Sequence, residues 1–118
     1  MRIKNLFIYA VIAFPFTAHA TNLVDNLTLA KKCHQLSISL EQLEEIETVS
    51  FCKGLISEAA YYTEGAAERF MSPDSGLSKF YLEMASQTLA YTAVEACTQE
   101  TNISFFKNDI SNIIDSIN

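Results

Sequence analysis

Apolar residues recur every three or four positions along most of this 118-residue chain, the spacing of one face of an α-helix. Leu29, Cys33 and Leu36 make the first such stripe and predict a helix over residues 22–36. Ser37-Ile38-Ser39 interrupts it, and Ser39 with Gln42 three residues on has the form of a capping box that starts a second helix. Along that helix Leu43, Ile46, Val49, Cys52, Ile56 and Ala59 form the apolar stripe, with Glu41, Glu44, Glu45 and Glu58 opposite. Gly54 and Gly65 sit inside this pattern, where each costs about 1 kcal/mol relative to alanine.

Ser72-Pro73-Asp74-Ser75-Gly76 is a turn by composition. A third helix is predicted from Leu77 to about Thr98, with two lines on it. One is apolar (Phe80, Met84, Tyr91, Val94) and one is small (Ser86, Ala90, Ala93, Cys97). Thr101 or Asn102 caps a fourth helix striped by Ile103, Phe106, Ile110, Ile113 and Ile117. No stretch alternates apolar and polar residues as a half-buried strand does. The expected fold is all-α: a small single-domain bundle of about four helices.

The N-terminal segment follows a different rule. Arg2 and Lys4 precede an apolar run from Leu6 to Phe16, and Ala18-His19-Ala20 places small residues at −3 and −1 of a cleavage point. Residues 1–20 therefore read as a secretory signal peptide, and residues 21–118 as the helical domain. The run is shorter than the ~20 apolar residues of a membrane-spanning helix. No membrane association is expected once it is cleaved. Removing it changes the charge. Arg2 and Lys4 leave with it, so six Lys and Arg face fourteen Asp and Glu, a net charge of −8. Such a surface repels nucleic acid and anionic lipid and suits a basic protein partner.

Export also changes what the cysteines mean. Three thiols in an oxidising compartment imply one bridge and one remainder. Loop entropy does not select the pair, because it varies only with the logarithm of loop length. A hairpin about Pro73 puts Cys52 roughly 27 Å from the end of the second helix and Cys97 about 30 Å from the start of the third. The two are level. Cys33 lies roughly 6 Å before the break at 37–39 and Cys52 about 18 Å beyond it. That offset exceeds the ~7 Å Cα limit for a disulfide. Cys52–Cys97 is the expected bridge, with Cys33 an inert core thiol. Cys33–Cys97 and Cys33–Cys52 stay open if the second helix begins later than Leu40.

Candidate reactive chemistry is sparse. Cys33 precedes His34, but adjacent helical positions diverge and no third residue is placed to orient the imidazole. No catalytic residue is assigned, and an enzyme is not expected. His34 is the only histidine after Ala20, and the cysteines lack metal-binding spacing. Glu41, Glu44, Glu45 and Glu47 lack a calcium-loop pattern and read as a solvated helix face. No phosphate loop or nucleophile elbow is present, so no metal or cofactor is assigned. Tyr61 and Tyr62, with Phe51 nearby, lie beyond the main stripe of the second helix, and Phe105 does so on the fourth. Covered by the first helix, they join the core. Uncovered, Glu58, Tyr61, Tyr62 and Glu64 form a protein-recognition patch.

Leu29-Ala30-Lys31-Lys32-Cys33, followed after eighteen residues by Cys52-Lys53-Gly54-Leu55-Ile56, resembles the first half of small immunity proteins of type VI secretion systems. In that group a cysteine-bearing helix precedes a C-x-G-x-I helix. The resemblance implies a helical periplasmic protein that binds and blocks a peptidoglycan amidase effector. Val94-Glu95-Ala96-Cys97-Thr98-Gln99-Glu100, with Phe106-Lys107 beyond, resembles the end of the HdeA/HdeB acid-stress chaperones. That likeness implies a small disulfide-bonded helical protein that opens at low pH and binds unfolded clients. Either way the expectation is a periplasmic binding protein without enzymatic activity. The oligomeric state stays open, a homodimer being compatible with the chain because four short helices with two spare apolar lines often bury one against a second copy.

Overall fold

The computed structural model describes residues 21–94 and 96–117, with side chains from Asp25 onward; the leader lies outside the described residues. Four α-helices follow in order: α1 (Thr21–Ile46), α2 (Ser50–Phe70), α3 (Leu77–Ala90) and α4 (Glu100–Ile117). A 3-10 turn, Tyr91–Val94, prolongs α3. No strand occurs among the described residues. α2 lies between α1 and α3, and α4 packs on α3 and more lightly on α1. The result is a slab of 48 × 33 × 18 Å.

The fold class is the expected one, but the first break is not where the serines suggest. α1 runs straight through Ser37-Ile38-Ser39 and ends at Ile46. Leu29, Cys33, Leu36, Leu40 and Leu43 continue a single buried stripe across the serines. Serine in a helix interior costs only a few tenths of a kcal/mol, which burial of Leu40 and Leu43 outweighs. The Ser37 hydroxyl instead donates to the Ala60 carbonyl of α2 at 3.0 Å. Ser39 therefore caps nothing, and Leu43 and Ile46 belong to α1, with Ile46 exposed.

The expected bridge is present: Cys52 and Cys97 are bonded, with Cα atoms 5.9 Å apart, and Cys33 is free and fully buried. α2 begins at Ser50, later than expected, yet Cys33 is still out of reach. It now lies roughly 20 Å before the turn and Cys52 about 3 Å after it. The mismatch has changed sign without closing.

α3 also differs. Its helical hydrogen bonding stops at Ala90, and its buried residues are Ser78, Leu82, Ala85, Thr88 and Leu89, followed by Thr92. Of the two expected lines only Cys97 is buried; Phe80, Tyr91 and Val94 are exposed. The core side carries smaller side chains than the outer side, where Phe80, Tyr91 and Val94 lie. A Cβ added to Gly65 of α2 would meet the Tyr81 ring at 2.5 Å. In α4 the expected stripe holds, with Ile103, Ile110 and Ile113 buried and Phe106 and Ile117 packed against the core.

Candidate functional site

Where α1 ends, three constraints meet. Glu47 turns its side chain back over the 47–49 break and is almost fully buried. Its Oε2 accepts the Val49 N–H at 3.0 Å, the Thr98 N–H at 2.9 Å and the Thr98 hydroxyl at 2.9 Å. Its Oε1 accepts the Gln99 N–H at 2.9 Å. One carboxylate thus serves the unpaired N–H groups at the starts of both α2 and α4, where helix dipoles also favour negative charge. Burial pushes its carboxyl upward, but the hydrogen bonds from Thr98, Val49 and Gln99 outweigh this and hold it at about 2. Lys53 Nζ donates to the Glu44 and Glu47 carbonyls at 2.7 and 3.3 Å and closes the C-terminus of α1. Beside it, Cys52 is bonded to Cys97. Together these hold the ends of α1, α2 and α4 in one junction.

That junction is the inner end of a groove of about 530 Å³ between α1 and α2. Glu41, Glu44 and Glu45 line it from α1, and Lys53, Tyr61 and Glu64 from α2. The Lys53 ammonium is occupied by the Glu44 and Glu47 carbonyls, so the open walls are dominated by carboxylates. Tyr61 is 74% exposed, and its ring stands edge-on to Tyr62 at 5.8 Å. Further along, His34 Nδ1 lies 2.8 Å from Glu64 Oε1, bridging the two helices.

The proposed patch is divided by the fold. Tyr61 and Glu64 line the groove. Tyr62 turns the other way, half-buried against the core and 6.5 Å from the Tyr81 ring of α3. Glu58 is exposed but is not part of the groove wall. Phe51 and Phe105 are exposed rather than core. Of the glutamate run, Glu41, Glu44 and Glu45 face this groove, whereas Glu47 is the buried structural clamp and not part of a solvated face. Nothing local distinguishes Glu47 in the sequence, since Thr98 and Gln99, just before α4, are about fifty residues away. Among the described residues no three His, Cys, Asp or Glu side chains converge as a metal site. Cys33 offers a poor nucleophile. Burial, with the charge of Glu64 added, pushes its thiol up to about 12.

These features define a small disulfide-stapled helical domain with an acidic, tyrosine-edged groove. No protein-family model, curated protein or solved structure matches the chain.

Proposed function

We propose that this protein is a secreted, periplasmic inhibitor of the immunity type, which binds and blocks a cell-wall-degrading peptidoglycan amidase. The observation that carries this reading is Tyr61, 74% exposed in a groove with Glu41, Glu44, Glu45 and Glu64. A rigid aromatic amid carboxylates suits a basic rim around an active-site cleft. Charge attraction speeds the encounter, and Tyr61 supplies a desolvated anchor at low conformational cost. Inhibition follows from occlusion, so no catalytic group is required of this chain.

The test is binding to the amidase encoded beside this gene. Tyr61→Ala is expected to weaken binding at least tenfold, mainly through faster dissociation. Glu44→Lys with Glu45→Lys is expected to slow association and reduce its salt dependence. A neighbouring gene encoding no such enzyme, or full protection by all these variants, overturns the reading.

Glu47 favours a second reading, an acid-activated chaperone of the HdeA/HdeB kind. Its carboxylate joins three helix ends and takes up a proton only near pH 2. That reading requires binding of a hydrophobic dye and suppression of client aggregation near pH 2–3, with neither at neutrality.

A further inference from the structure

The outer side of α3 carries an apolar stripe with no cover from the described residues. Leu77, Phe80, Met84, Gln87, Tyr91 and Val94 are spaced 3-4-3-4-3, the pattern of a helix–helix seam. Phe80, Tyr91 and Val94 are each more than half exposed, and Leu77 nearly so. The side that packs on the core is the opposite one, through Ser78, Leu82, Ala85 and Leu89. The stripe spans roughly 25 Å of helix axis. Only Gln87 on it is polar, and none of it is charged.

Its chemistry is symmetric about the midpoint between Ala85 and Ser86. Reversing the chain there exchanges Leu77 with Val94, Phe80 with Tyr91, and Met84 with Gln87. Aliphatic falls on aliphatic and aromatic on aromatic. A two-fold axis through that midpoint lays two copies antiparallel, with each end of the stripe on its chemical counterpart. An unrelated partner has no reason to share this reversal symmetry; a second copy has it by construction.

We propose that this stripe is the seam of an antiparallel, two-fold homodimer that pairs Phe80 with Tyr91 and Leu77 with Val94. Such a contact, flanks included, buries about 1,000–1,200 Å² in total, the low end of specific interfaces. The dimer is therefore weak and concentration-dependent. Because both copies are strongly acidic, added salt tightens it by screening their repulsion. α2 separates α1 from α3, so the acidic groove stays open on each copy. If the proposed function holds, one dimer takes two partners; the dimer itself does not depend on that reading.

Sedimentation velocity of the purified protein, from micromolar to near-millimolar concentration, tests this without any partner. Mass should double over the range, at lower concentration in high salt. Phe80→Lys and Tyr91→Glu should each remain monomeric, with dissociation constants raised at least a hundredfold, and unchanged circular dichroism should show that each folds. Mixed together, the two variants should associate. The introduced lysine of one copy then faces the introduced glutamate of the other, while the second Phe80–Tyr91 contact is intact. A wild type that stays monomeric throughout overturns the proposal, as does a dimer indifferent to both substitutions. Failure of the mixture to associate overturns the antiparallel register.

Discussion

Glu47 accepts two hydrogen bonds from Thr98, one from its N–H and one from its hydroxyl, each at 2.9 Å and across 51 positions of sequence. The same Oε2 takes the Val49 N–H, and Oε1 takes the Gln99 N–H. The carboxylate thereby links the start of α2 to the start of α4 beside the Cys52–Cys97 bond. Glu47→Gln keeps an acceptor but loses the charge and offers donors where only acceptors fit. It should cost about 2–3 kcal/mol at neutral pH, measured by urea denaturation.

The same clamp sets an acid dependence. Glu47 is held at about 2 in the folded protein against an ordinary 4.5, so the unfolded chain binds this proton more readily. Its stabilisation is full above pH 4.5, declines as pH falls through that window, and is lost below about 2. The stability gap between wild type and Glu47→Gln should therefore narrow as pH is lowered from about 5 to about 2. A gap constant across that range would show that the charge is not what the clamp uses.

Two glycines of α2 should respond oppositely to alanine. Gly54 is exposed with nothing within 4 Å of an added Cβ. Gly54→Ala should stabilise the protein by about 1 kcal/mol through helix propensity. At Gly65 the added Cβ would meet the Tyr81 ring, which is held by Tyr62 and by the Arg69 guanidinium 5.7 Å from its centroid. Overpacking there should outweigh the propensity gain and leave Gly65→Ala destabilised by about 1 kcal/mol. Paired thermal melts give both signs.

Cys33 is fully buried and its thiol is pushed up to about 12. A thiol reagent at mildly alkaline pH should modify no cysteine in the folded protein. In denaturant without reductant it should modify one per chain, at Cys33. Peptide mapping of the modified chain checks both the thiol and the Cys52–Cys97 pairing. Labelling of the native protein at a normal thiol rate would contradict the burial.

Ser78 is fully buried, and its hydroxyl has no hydrogen-bond partner among the described residues. The other buried hydroxyls differ: Ser37, Thr63, Thr88 and Thr92 donate to the carbonyls of Ala60, Ala59, Met84 and Leu89. Ser78→Ala removes an uncompensated polar group with little change in volume, and should raise stability by about 1 kcal/mol in a chemical melt. Thr63→Val should lower it or leave it unchanged.

Periodic spacing and composition by themselves determined that the domain is helical, that the chain turns at Ser72–Gly76, and which stripe of α4 faces inward. They also favoured Cys52–Cys97 over the pairs with Cys33. These are consequences of 1.5 Å of rise per residue and of apolar recurrence, both local properties. The structure had to exclude the pairs with Cys33, because α2 begins at Ser50, after Leu40, and Cys97 lies past the end of α3. Only tertiary structure decided where α1 ends, which face of α3 is buried, and what Glu47 does. Serine weakens a helix too little to end one against a continuous buried stripe. α3 carries apolar residues on more than one face, and packing against α2 and α4 decides that the face of Ser78, Leu82, Ala85 and Leu89 is the buried one. Glu47 looks like its neighbours Glu44 and Glu45 because the N–H groups that bind it across the bundle belong to Thr98 and Gln99, brought within reach only when the helices close.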